Sequence, residues 1–143
     1  FKAGKLSLGL DKYQKGLRYL NEDPDLGSES EETKKTLSSL RFTLNSNSAL
    51  LSNKLKSYDE AVRSATFALE VPGITNVEKG KALYRRAVAE VALKDEDSAV
   101  RDLEEASKLV PGDVAIAKEL AGVKKIAADR AKKEKAAYSK FFA

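Results

Sequence analysis

Cysteine, histidine, methionine and tryptophan are all missing from this 143-residue chain. Without cysteine there is no disulfide framework and no thiol nucleophile. Without cysteine and histidine there is no Cys/His zinc site, and without histidine no triad that relies on an imidazole base. No metal and no cofactor is expected. The lack of cysteine fits a reducing compartment, so a cytoplasmic setting is the expectation. No apolar run approaches the ~18 residues of a membrane span, and no signal peptide opens the chain. The opening on Phe1-Lys2, in mid-pattern and without an initiator methionine, leads to the expectation of further sequence upstream.

Charge of one sign is scarce in the body and concentrated at the end. The formal net charge is +4. Residues 118–143 carry eight Lys/Arg against three acids, a surplus of five, which leaves −1 for the other 117 residues. A near-neutral body argues against a nucleic-acid-binding surface.

Prolines are few, at Pro24, Pro72 and Pro111, and each falls between apolar patterns of helical period. Leu6, Leu10, Tyr13, Leu17 and Leu20 mark a first helix over 6–20. An acidic Gly/Ser/Pro-containing loop follows over 21–30. A second helix is expected over 34–56, using Leu37, Leu40, Leu44, Leu51 and Leu55. Further helices are expected over 58–71, 77–93 and 96–110, and a long one from Val114 to about Lys140. Pro111-Gly112-Asp113 reads as a stop and a cap. No segment alternates with period two, so the fold class is all-α.

The helices repeat. Ala49, Ala61, Ala65 and Ala68 correspond to Ala87, Ala99, Leu103 and Ala106 at a constant offset of 38. Leu6 to Tyr13 fits one unit earlier, 52 residues before the second, with the surplus in the acidic loop and the lengthened second helix. A single helix pair cannot bury its own apolar face, so the units must stack.

Within this frame, Lys81 and Arg85 stand four apart on one helical face, where two cations repel slightly. An anionic ligand would justify the pair; a solvated basic face is the plain alternative. Glu104-Glu105 and Asp95-Glu96-Asp97 lie on repeat surfaces without a paired base, so catalysis by this chain is not expected.

The succession of small residues, a tight-turn aromatic and a closing proline resembles the tetratricopeptide repeat, whose period is about 34 residues. Ala87, Ala99, Ala106 and Pro111 make the third unit the fullest match. The resemblance covers 1 to about 111 and implies a superhelix of antiparallel helix pairs. The first repeat (about 1–22) is incomplete, the second is about 34–71 and the third about 77–111, with 112–143 a capping and basic helix. Only Phe1 to about Gly4 would remain of the first unit's opening helix. Gly9 and Gly16 replace that unit's usual alanines, at a cost of ~1 kcal/mol each. Val114, Leu120 and Val123 suit capping of the last unit. The basic stretch from Lys124 to Phe142 suits either calmodulin or another acidic surface, or a solvated projecting helix.

Leu17-Arg18-Tyr19-Leu20, the heptapeptide from Lys81 to Ala87 and the ending from Lys133 to Ala143 are similar to the C-terminal half of the large, forty-kilodalton-type cyclophilins. FK506-binding immunophilins are the nearest rival. The resemblance implies an upstream prolyl isomerase domain and repeats that grip the Met-Glu-Glu-Val-Asp tail of the ninety-kilodalton heat-shock chaperone. The seventy-kilodalton chaperone is the alternative partner, and a scaffold indifferent to peptide termini the alternative function. Of the five carboxylate-binding positions, three fall in this chain. Asn47, eleven residues before Tyr58, takes the Asn position; Lys81 and Arg85 take the last two. Asn53 and Lys54 are lesser candidates. For Asn47 the competing reading is helix surface or packing between units. Arg86 is expected to pack or to be solvated.

Overall fold

The computed structural model describes residues 3–22 and 31–142. Among these there are six helices and no strand: α1 (Ala3–Glu22), α2 (Glu31–Lys54), α3 (Tyr58–Leu69), α4 (Asn76–Ala92), α5 (Glu96–Leu109) and α6 (Val114–Phe141). Each helix packs on the next along the chain, and α2 also lies directly against α4. The fold is therefore a stack of antiparallel pairs, α2 with α3 and α4 with α5, flanked by α1 and α6. The expected acidic loop falls largely outside the described residues.

The turns carry the repeat as clearly as the helices do. Lys56 and Lys94, 38 apart, both adopt left-handed backbone conformations, with φ of 63° and 68°. At each, the helix closes by the same pair of bonds. Ser57 N–H donates to the Ser52 carbonyl and Lys56 N–H to that of Asn53; Asp95 N–H donates to the Glu90 carbonyl and Lys94 N–H to that of Val91. This is the Schellman ending, normally given to glycine because a side chain in this conformation costs roughly 1–2 kcal/mol. Between units, glycine is used: Gly73 and Gly112 have φ of 77° and 88°.

Helix starts are fixed by caps. The Thr75 hydroxyl accepts from the Glu78 backbone N–H, and the Glu78 carboxylate accepts from the Thr75 N–H, forming a capping box. Asp95 and Asp113 cap α5 and α6 through the N–H groups of Ser98 and Ile116.

All eight residues paired by the 38-residue offset are fully buried where helices cross. The larger apolar cluster joins Leu83 and Ala87 of α4, Ala99, Leu103 and Ala106 of α5, and Ile116 and Val123 of α6. A smaller one joins Phe42, Ala68, Val71 and Ala82. The glycines of α1 have a packing reason: a Cβ on Gly16 would sit 3.1 Å from Leu44 Cδ1, and one on Gly9 3.4 Å from that of Leu51. Their propensity cost is offset by the close approach of α1 to α2.

Four expectations need correction. Gly4 lies within α1, not at the end of a preceding helix. Leu40, expected among the apolar positions of α2, is exposed. Val114 is 79 % exposed, and Ile116 fills the capping role at 4 %. Glu96, expected on a surface, is buried: its carboxylate accepts from Arg130 Nη1 at 2.6 Å, which ties α6 to the start of α5.

Candidate peptide-binding site

Contact between α2 and α4 sets equivalent positions of successive units side by side. Asn47 and Arg85 occupy the same repeat position, 38 apart. Their side chains approach to 3.5 Å, Arg85 Nη1 facing Asn47 Oδ1 at the limit of a hydrogen bond. Two stronger bonds hold the guanidinium: Nη1 donates to the Ser46 carbonyl and to the Ser46 hydroxyl, each at 2.8 Å. On its other side, the Asn47 amide lies 3.4 Å from the Tyr13 hydroxyl of α1.

Every partner of Arg85 is neutral. Burial pulls its guanidinium below the usual arginine range, and no carboxylate among the described residues pairs with it. Half-burying a cation among neutral acceptors weakens its hydration without supplying a counter-charge. Lys81, one turn earlier on α4, is exposed and likewise has no ion pair among the described residues. The sequence therefore puts two uncompensated cations and an amide on one face.

Asn53 is not free in this face. Its amide donates to the Arg85 backbone carbonyl at 2.9 Å, so it braces α2 against α4. Lys54 is exposed in the last turn of α2. Arg86, next to the site residue, points the other way and is neither solvated nor simply packed. It forks onto Asp102, with Thr66 Oγ1 3.2 Å away. Beside Lys81, Val77, Gly80, Tyr84, Val110 and Ile116 line an apolar pocket of about 170 Å³. Sequence reasoning missed this pocket and Ser46; Gly80 was the available signal for the first, and a backbone acceptor leaves none for the second.

Stacked pairs with buried alanines at their crossings, Schellman turns and a final helix over the last pair define a tetratricopeptide-repeat domain. No protein-family model matches the sequence. Relatives do. The chain is 42% identical, over 99% of its length, to peptidyl-prolyl cis-trans isomerase D of Cryptococcus neoformans, and 38% identical, again over 99%, to that of Kluyveromyces lactis. It spans 39% and 38% of the lengths of those two proteins. The C-terminal TPR-containing domain of an FK506-binding protein from Plasmodium falciparum superposes with a TM-score of 0.76 at 22% identity, covering 92% of this chain and 83% of that one. The UNC-45 chaperone aligns with a TM-score of 0.60 at 25% identity, over 94% of this chain and 14% of that protein. Over nearly its whole length the chain is thus similar to a part of the cyclophilin-type prolyl isomerases D, and its fold is that of a tetratricopeptide-repeat domain.

Proposed function

We propose that the α2–α4 face grips the free terminal carboxylate of an acidic peptide, that of the ninety-kilodalton heat-shock chaperone, and that the chain serves as the chaperone-docking part of a cytoplasmic cyclophilin-type prolyl isomerase. The observation that carries this reading is the half-buried Arg85 guanidinium beside Asn47, bonded only to neutral acceptors among the described residues. A terminal aspartate presents two carboxylates close together. Arginine offers a directional fork, lysine a mobile point charge, and asparagine an uncharged donor. The apolar pocket beside Lys81 is of a size to hold one aliphatic side chain of the same peptide. The seventy-kilodalton chaperone, whose tail also ends in a carboxylate, is the competing partner. The test is calorimetric titration with Met-Glu-Glu-Val-Asp as free acid and as C-terminal amide. Binding of the acid alone supports the reading. Equal binding of both would favour a scaffold that ignores peptide ends.

A further inference from the structure

Resting on that reading, we infer that Ser46 is the positioning residue of the site: it anchors one nitrogen of Arg85 so that the opposite edge of the guanidinium is held out for the ligand carboxylate. Both strong bonds from Arg85 use Nη1, and both end on Ser46. Nη2 and Nε donate to no described residue, which leaves the side-on edge of the fork unused. Such an edge matches a carboxylate with two parallel N–H···O bonds. Ser46 is itself 2 % exposed, so its hydroxyl is pre-placed and cannot rotate away into water. The backbone of Arg85 is pinned as well, by the Asn53 amide donating to its carbonyl. Ser46 and Asn53 lie seven apart, two turns along one face of α2, and hold the side chain and the main chain of Arg85 respectively. An arginine fixed at both ends loses less rotamer freedom on binding than a free one, and that difference appears as affinity.

This arrangement explains why a lysine would not serve at position 85. A single ammonium cannot bond to Ser46 and also offer two parallel donors to a carboxylate. Lys81 has no such anchor and supplies charge without direction.

Ser46→Ala removes one of the two anchoring acceptors. It should weaken binding of Met-Glu-Glu-Val-Asp free acid roughly two- to tenfold, the effect of one ordinary hydrogen bond. In an Arg85→Ala background the same change should have no effect, because Ser46 acts only through the arginine. Nitrogen-15 NMR of the free protein provides a readout that needs no peptide: rotation of the Arg85 guanidinium should be slow in the wild type and fast in Ser46→Ala. An equal loss in both backgrounds, or unchanged affinity together with unchanged rotation, would overturn the positioning role. Wild-type protein that binds acid and amide alike would instead overturn the reading of the site, and the inference with it.

Discussion

Arg86 and Asp102 meet in a two-point ion pair, Nε to Oδ2 and Nη2 to Oδ1, each 2.7 Å. The Asp102 side chain is 9% exposed and the arginine 23%. Hydrogen bonding to Asp102 is the main cause that holds the Arg86 guanidinium above its usual range. Arg86→Ala would leave Asp102 buried without a counter-charge and still next to Glu90. A loss of about 3–5 kcal/mol is expected, a large share of the ~5–15 kcal/mol that holds a domain together. Urea denaturation measures it. Because the penalty comes from an orphaned charge, Arg86→Met combined with Asp102→Leu should recover most of it, and failure to recover would show that the fork itself is the source of stability.

Glu90 gives this cluster a pH dependence. Burial, then Asp102, push its carboxyl up to about 9. It is protonated at neutral pH in the folded chain and ionised in the unfolded one. Stability from this group is therefore complete below the ordinary carboxyl range and falls as pH rises towards about 9. Asp102, whose carboxyl is held low by Arg86 against the effect of burial, acts the opposite way and loses its contribution only in acid. Glu90→Gln should flatten the decline between pH 5 and pH 9 and be more stable than wild type at the alkaline end. Parallel stability curves for the two proteins would rule this out.

Affinity for the peptide should follow Arg85. Arg85→Ala should cost about 1.5–3 kcal/mol, or roughly tenfold to a hundredfold, with circular dichroism unchanged. Arg85→Lys should fall close to the alanine variant. Added salt should weaken the wild type more than the alanine variant, while the lysine variant, which keeps the charge, should retain the salt dependence.

Two glycines should respond with opposite sign. Gly122 lies in mid-helix with open space where a Cβ would stand, so Gly122→Ala should stabilise by up to about 1 kcal/mol. A Cβ on Gly80 would lie 2.7 Å from Val110 Cγ2. Valine is stiff about χ1 and cannot swing aside. Overpacking of about 1–3 kcal/mol outweighs the propensity gain, so Gly80→Ala should lower the melting temperature. A rise in both variants would show that Val110 yields.

Along α6, stability should depend on depth in the stack. Ile116→Ala should cost about 2–5 kcal/mol, since the side chain fills the α4–α5 cluster. Phe141→Ala should lie within about 0.5 kcal/mol of wild type, since Phe141 is 83 % exposed and, among the described aromatic rings, touches only Phe142. Removal of everything after Gly112 should lower the melting temperature; unchanged melting would mean that α6 does not cover the stack.

Elements, breaks and stacking were legible in the sequence because their causes are local. Helical periodicity, Pro72-Gly73, Pro111-Gly112 and the 38-residue spacing of alanines are properties of neighbouring residues and need no partner. That Asn47 and Arg85 belong to one site was implied by the family resemblance, and their approach to 3.5 Å needed α2 to lie against α4. What tertiary packing decided was direction. Ile116 and Val114 are two residues apart on one helix, and the docking angle of α6 buries the first and exposes the second. Arg85 and Arg86 are adjacent and chemically identical. One meets Ser46 of α2 and the other Asp102 of α5, because the step of about 100° per residue turns them towards different helices. Glu96 is buried, and its counter-charge is Arg130, which arrives from 34 residues later in the chain. Such pairings depend on which helices meet, and a backbone carbonyl such as that of Ser46 leaves no mark in the sequence that would announce its partner.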